Sequence, residues 1–224
     1  MKAFLSYSNS DRELAGQIKQ ALEDYGLSVF LAHEDIKPMA EWVKTIRDEL
    51  KECDIFIPIL TESFNESDWT DQETGIAFIL DKKIIPLKFT VDPHGFISRW
   101  QALKMRIEKT ENRVLEKLSV DELANVIDSD PALADPFRDG LIRKFGNSMS
   151  FDDAGHNARL LSSLKAYTSR QLGDIIKYTN ENDQIRKSRS AQRTLNGFFY
   201  KHKDTIDPKL LQELPLAIRP NLDS

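Results

Sequence analysis

Four short apolar runs, separated by amphipathic stretches, occupy the first ninety residues, and the pattern then stops. The runs are Ala3-Phe4-Leu5-Ser6-Tyr7-Ser8, Leu27 to Leu31, Asp54-Ile55-Phe56-Ile57-Pro58-Ile59-Leu60 and Lys83-Ile84-Ile85-Pro86-Leu87-Lys88-Phe89. Between the first two, Leu14, Ile18, Ala21, Leu22 and Tyr25 recur at helical spacing, and Gly26 follows at a helix-ending position. Trp42, Val43, Ile46 and Leu50 mark a second helix, and a third runs from about Trp69 to Leu80. Strict strand–helix alternation predicts an α/β unit, a parallel sheet covered by helices. The run 54–60 is apolar almost throughout, as a strand buried on both faces must be. Ligands of such sheets sit beyond the carboxyl ends of the strands, which directs attention to the loops after Tyr7, Leu31 and Leu60.

After Phe89 the periodicity is helical: Trp100–Leu118, Val120–Ile127, Asp135–Phe145, Ala154–Thr179, Asp183–His202 and Pro208–Leu214, with one short edge strand expected near Phe96. Ser119 fits a cap before Val120, and Asp130-Pro131 and Asp207-Pro208 fit helix starts. Charge changes along with periodicity. Residues 1–103 hold 11 Lys and Arg against 18 Asp and Glu, net −7, and all three tryptophans; residues 104–224 are net +2. The expected organisation is therefore an α/β domain over 1–103 and an α-helical C-terminal region over 104–224.

Several chemistries recede on composition and motif. Cys53 is the single cysteine, so neither an internal disulfide nor a cysteine-based zinc cluster can form. His33, His94, His156 and His202 lack metal-ligand spacing, and no metal site is expected. The chain has no GxGxxG after a strand, no nucleotide P-loop and no GxSxG elbow. It contains no apolar stretch of membrane-spanning length and opens without a cleavable-leader pattern, so no membrane partner and a cytoplasmic location are the expectations. A net charge of −5 argues against bulk attraction to nucleic acid.

The helix opening Trp69-Thr70-Asp71-Gln72-Glu73 is left. From spacing alone, Glu73 complements the positive helix end and supplies half of a capping arrangement. Trp69 and Trp42 read equally well as helix and core anchors.

Taken together in order, these segments resemble a Toll/interleukin-1 receptor (TIR) domain of bacterial type. The resemblance rests on Phe4-Leu5-Ser6-Tyr7-Ser8 with Asp11, Gly26-Leu27-Ser28-Val29-Phe30, Asp35-Ile36-Lys37-Pro38 with Trp42, Ser67 through Ala77, Ile84-Ile85-Pro86-Leu87 and Asp92-Pro93-His94-Gly95-Phe96. It spans about residues 1–103 and implies a flavodoxin-like parallel sheet. It also implies one of two functions. Many bacterial, plant and axonal TIR domains cleave NAD+ at the nicotinamide–ribose bond, giving nicotinamide and ADP-ribose or a cyclic isomer. Animal receptor and adaptor members mainly assemble with one another, and some TIR proteins are effectors that interfere with host signalling.

By resemblance, the catalytic glutamate, four residues after a tryptophan, is Glu73, and the stacking aromatic after the second loop is Trp42. Trp69 matches the family tryptophan, Tyr7 and Ser8 match first-loop residues beside the pocket, and Asp35 lies in the second loop. NAD+ is then a substrate and no cofactor is needed. Self-association through TIR surfaces is implied, with antiphage or immune signalling as the setting and a regulatory partner for the helical region. One carboxylate suffices because nicotinamide leaves a pyridinium as a neutral molecule without being protonated, unlike the leaving group of an ordinary glycoside. The remaining need is to stabilise an oxocarbenium-like ribose. The sequence departs from the family at Met39 after Pro38, at Thr70 where cysteine is usual, and at Asn9-Ser10 where some members carry arginine. In the helical region, Arg186, Lys187, Arg189, Arg193, Lys201 and Lys203 form a basic stretch that reads as a solvated face, with Phe198, Phe199 and Tyr200 as core.

Overall fold

A computed structural model describes residues 1–31, 42–108 and 114–220. The chain forms two compact units, residues 1–23 with 27–124, and residues 24–26 with 125–224. The first unit thus continues past residue 103.

The first unit is built on strands β1 (Lys2–Ser6), β2 (Ser28–Leu31), β3 (Ile55–Leu60), β4 (Lys83–Ile84), β5 (Leu87–Lys88) and β6 (Leu103–Lys104). Every pairing is parallel, in the order β2-β1-β3-β5-β6 with β4 also on β3. The order reverses at β1, as in flavodoxin-like sheets, and opens a crevice beyond the carboxyl ends of β1 and β3. Phe4 pairs with Phe30 on one side and Phe56 on the other, and the three rings lie 5.2 and 5.8 Å apart at the centre of the core. Helices α1 (Arg12–Asp24), α2 (Trp42–Glu52), α3 (Glu62–Asn65) and α4 (Asp68–Ile79) connect the strands. Gly26, at φ 83°, ends α1 as its position predicts, with the Leu27 amide donating to the Leu22 carbonyl at 3.2 Å. Cys53 is buried, donates to the Leu50 carbonyl, and has its thiol pushed up to about 11, chiefly by burial.

Several local expectations are corrected. The fourth run is not one strand: β4 and β5 keep the same register on β3, but the ladder breaks where Pro58 and Pro86 come level and neither has an amide to donate. The segment near Phe96 is not an edge strand but a 3-10 turn over Gly95–Ile97, with Gly95 at φ 57°. The described part of Trp100–Leu118 is not one helix. It contains β6 and an antiparallel bridge between Ile107 and Leu115, and α5 (Lys117–Ser129) begins only at its end. Ser119 consequently lies inside α5, where its hydroxyl accepts the Arg106 amide at 2.9 Å. The short α3 lies in a stretch expected to be loop.

The second unit contains α6 (Ala134–Gly146), α7 (Phe151–Ser163), α8 (Ser169–Glu181), α9 (Asp183–Lys187), α10 (Arg189–Lys201) and α11 (Pro208–Glu213). Two long periodic stretches of the sequence are each divided, and capping side chains explain where. Thr168 forms a capping box with Gln171 at the start of α8, and Ser188 accepts the Ala191 amide at the start of α10. Asp207 caps α11 with proline in its first turn, as expected. Asp130 instead closes a turn onto the Ala132 amide, and α6 starts later. The core includes Phe145, Ala158, Leu172, Leu195, Phe198 and Phe199, whereas Tyr200 is exposed. Among the described residues, no helix is long and apolar enough to cross a membrane, and no group of three or more His, Cys, Asp or Glu could hold a metal.

Candidate functional site

The reversal of strand order at β1 focuses the site on what lies at the carboxyl ends of β1 and β3. Ser6 is the last residue of β1, a polar side chain following Ala3, Phe4 and Leu5, and is fully buried. Its Oγ donates to Glu73 Oε2 at 2.5 Å. Beside it, the chain after β1 turns through Asn9–Asp11, where buried Asp11 accepts from Thr61 Oγ1 at 2.6 Å. Thr61 follows β3 and also accepts the Phe64 amide, capping α3. One pair of hydrogen-bonded side chains thus links the loops on either side of the crevice.

Helix α4 delivers Glu73. Its first turn is tied down by Thr70, whose hydroxyl meets the carbonyls of Phe64 and Ser67, both at 2.7 Å. The capping reading of Glu73 does not hold. The preceding Ser67 makes no side-chain cap bond, and Glu73 lies well inside the helix, 4% exposed, with its bond directed across to the sheet. Burial pushes its carboxyl up to about 7, opposed only by the Ser6 hydrogen bond. A carboxyl group placed there exchanges its proton near neutrality. As an anion in a desolvated setting, it also stabilises an adjacent developing positive charge far more than an exposed carboxylate could.

The other expected residues divide. Tyr7 and Ser8 follow Ser6 directly and share its strand end, Tyr7 buried and Ser8 half-buried. Trp42 opens α2 and packs against the core cluster of Phe4, Phe30, Ile46 and Leu50, to which Ile76 and Ala77 of α4 also belong or pack. Trp69, one turn before Glu73, is 41% exposed at the surface of α4. Asp35, with Pro38 and Met39, lies outside the described residues. Ser6 and Asp11 were not singled out as site residues.

The family model for TIR domains matches residues 3–119 of the chain. Among solved structures, the chain is similar to the TIR domain of the Toll-related receptor TRR-2 from Hydra magnipapillata. Sequence identity is 21%, the match covers 46% of this chain and 82% of that one, and the TM-score is 0.41. No curated protein matches the chain.

Proposed function

Since the chain belongs to the TIR domain family, we propose that its first unit cleaves NAD+ at the nicotinamide–ribose bond, with Glu73 as the catalytic carboxylate. The observation that carries this reading is the burial of Glu73 at the end of β1, with a serine hydroxyl as its compensating partner and a carboxyl pushed up to about 7. A globular fold gains nothing in stability from a carboxylate held that way. A cationic substrate supplies the missing charge.

In the proposed step the C1′–N bond breaks and its electron pair passes to the pyridinium nitrogen, which leaves as neutral nicotinamide. The ribose is left with oxocarbenium character, and ionised Glu73 offsets that charge and accepts ribose hydroxyls. Water then adds to C1′ and loses its proton, giving ADP-ribose; attack by the adenine of the same molecule gives the cyclic isomer. Trp42 serves as the stacking ring for a planar part of the substrate, with Tyr7, Ser8, Asp35 and Trp69 around the pocket. No resident cofactor takes part. Self-association through TIR surfaces in a cytoplasmic immune or antiphage response, with the helical unit controlling assembly, completes the proposal.

Incubation of the purified chain with NAD+ tests it by product analysis. Release of nicotinamide with ADP-ribose or its cyclic isomer, lost in Glu73→Gln, is the expected result. If no nicotinamide is released under assembly-promoting conditions, the enzymatic reading fails. A biological effect that survives Glu73→Gln but not substitutions in Asp35–Met39 favours a non-enzymatic assembly module.

A further inference from the structure

A second feature of α4 lies one residue beyond Glu73. Thr74 is 7% exposed, and its hydroxyl has no hydrogen-bond partner among the described residues. Thr74 lines a recess of about 260 Å³, together with Phe64, Asp71, His94, Phe96 and Ile97. Phe64 and Ile97 are buried apolar walls. Phe96 is 60% exposed: it stacks on Phe78 at 4.9 Å and 18°, and the Arg99 guanidinium lies 5.0 Å from the same Phe78 ring. An exposed aromatic ring beside a recess, itself stacked on a second ring, offers a surface for stacking. At the rim, His94 Nε2 lies 3.5 Å from an Asp71 carboxylate oxygen.

We propose that this recess, between α4 and the His94–Ile97 turn, is a second ligand site for a flat, uncharged heteroaromatic carrying an amide or amino group. Size, walls and charge each narrow the choice. The volume falls below the roughly 300–1,000 Å³ of pockets that enclose drug-sized ligands, so the occupant is a single or fused ring. The aromatic and aliphatic walls select a planar body. Asp71 is the acidic lining residue, and among the described residues no Lys or Arg lines the recess, so an anion is disfavoured. A purely hydrocarbon ring would leave the Thr74 hydroxyl buried and unpaired, whereas an amide or amino group satisfies it. Nicotinamide and adenine share this chemistry. The site stands apart from the Glu73 reaction and needs no turnover.

The test is amide NMR of the full chain titrated separately with nicotinamide, adenine and nicotinate. Saturable shifts at Gly95, Phe96 and Ile97 are expected with nicotinamide or adenine; whichever ring binds identifies the source. Nicotinate, the same ring with a carboxylate, should bind at least tenfold more weakly. Thr74→Val should weaken binding at least tenfold. Phe96→Ala, at an exposed position that asks nothing of the core, should weaken it as well. Glu73→Gln should leave the shifts in place. The proposal is overturned if no saturable shift appears at the turn, if nicotinate matches nicotinamide, if Phe96→Ala binds as well as the parent, or if Glu73→Gln abolishes the shifts. A chain inactive towards NAD+ that still shows these shifts removes the Glu73 reading alone.

Discussion

The two units each bury a carboxylate and do opposite things with it. In the second, Asp128 accepts from Arg138 Nε at 2.6 Å, and the same guanidinium reaches the Asp128 carbonyl at 3.1 Å. In the first, Glu73 is equally buried and, among the described residues, is met by the Ser6 hydroxyl alone. A buried charge met by its counter-charge serves the fold, because removing either partner strands the other. A buried carboxylate without a counter-ion weakens the fold unless it is protonated. The difference makes the two acids predict mutational effects of opposite sign.

The largest effect expected is on turnover. Glu73→Gln should lower NAD+ cleavage by about 10³-fold or more, the scale of losing a principal transition-state charge partner, while the amide spectrum stays folded. Retained turnover would make the contrast between the two acids meaningless. Next, Arg138→Met should destabilise the second unit by about 3 kcal/mol by leaving Asp128 buried without its partner. All three tryptophans lie in the first unit, so tryptophan fluorescence follows that unit while far-ultraviolet dichroism follows both. A urea transition that moves in dichroism but not in fluorescence assigns the loss correctly.

Glu73→Gln should act on stability in the other direction. Folded Glu73 holds its proton up to about 7, against 4.5 for the ordinary group. The stability tied to that proton is complete below about 4.5 and is lost as pH rises through about 7. The glutamine variant has no such loss, so its advantage over the parent should grow by about 3 kcal/mol across that window, read by fluorescence-monitored urea titrations. The same proton sets the pH profile. kcat/KM should rise through about 7 as the carboxylate forms. Ser6→Ala removes the one interaction holding the carboxyl down, so the midpoint should move upward and turnover at neutral pH fall about tenfold. The smallest effect is expected at a cap: Thr168→Ala should cost the second unit about 1 kcal/mol, seen as a lower urea midpoint in dichroism alone.

What could be read from the chain follows how local each determinant is. The runs at 3–8, 27–31 and 54–60 declare themselves because each is short, apolar, rich in β-branched or aromatic residues and bounded by polar or turn-forming residues. The two-residue β6 was invisible. Its signal is the alternation from Leu103 to Ile107, in which Met105 is buried between exposed Lys104 and Arg106, too short to outweigh helix-favouring residues. The break between β4 and β5 needed the register of Pro58 against Pro86, a tertiary fact. Glu73 was legible through the pattern around it, but its partner Ser6 was not, because 67 residues separate the two and only the sheet brings them together. Thr74 gave no signal at all, since an unpaired hydroxyl exists only once a fold surrounds it.

Cys53 has a practical meaning. With its thiol buried, bonded to the Leu50 carbonyl and pushed up to about 11, the chain's single cysteine resists thiol reagents at neutral pH. The native protein is therefore a blank background for labelling. A cysteine introduced at an exposed position such as Met149 would be the one that reacts, and spectroscopic labels placed in this way would test whether copies of the chain come together.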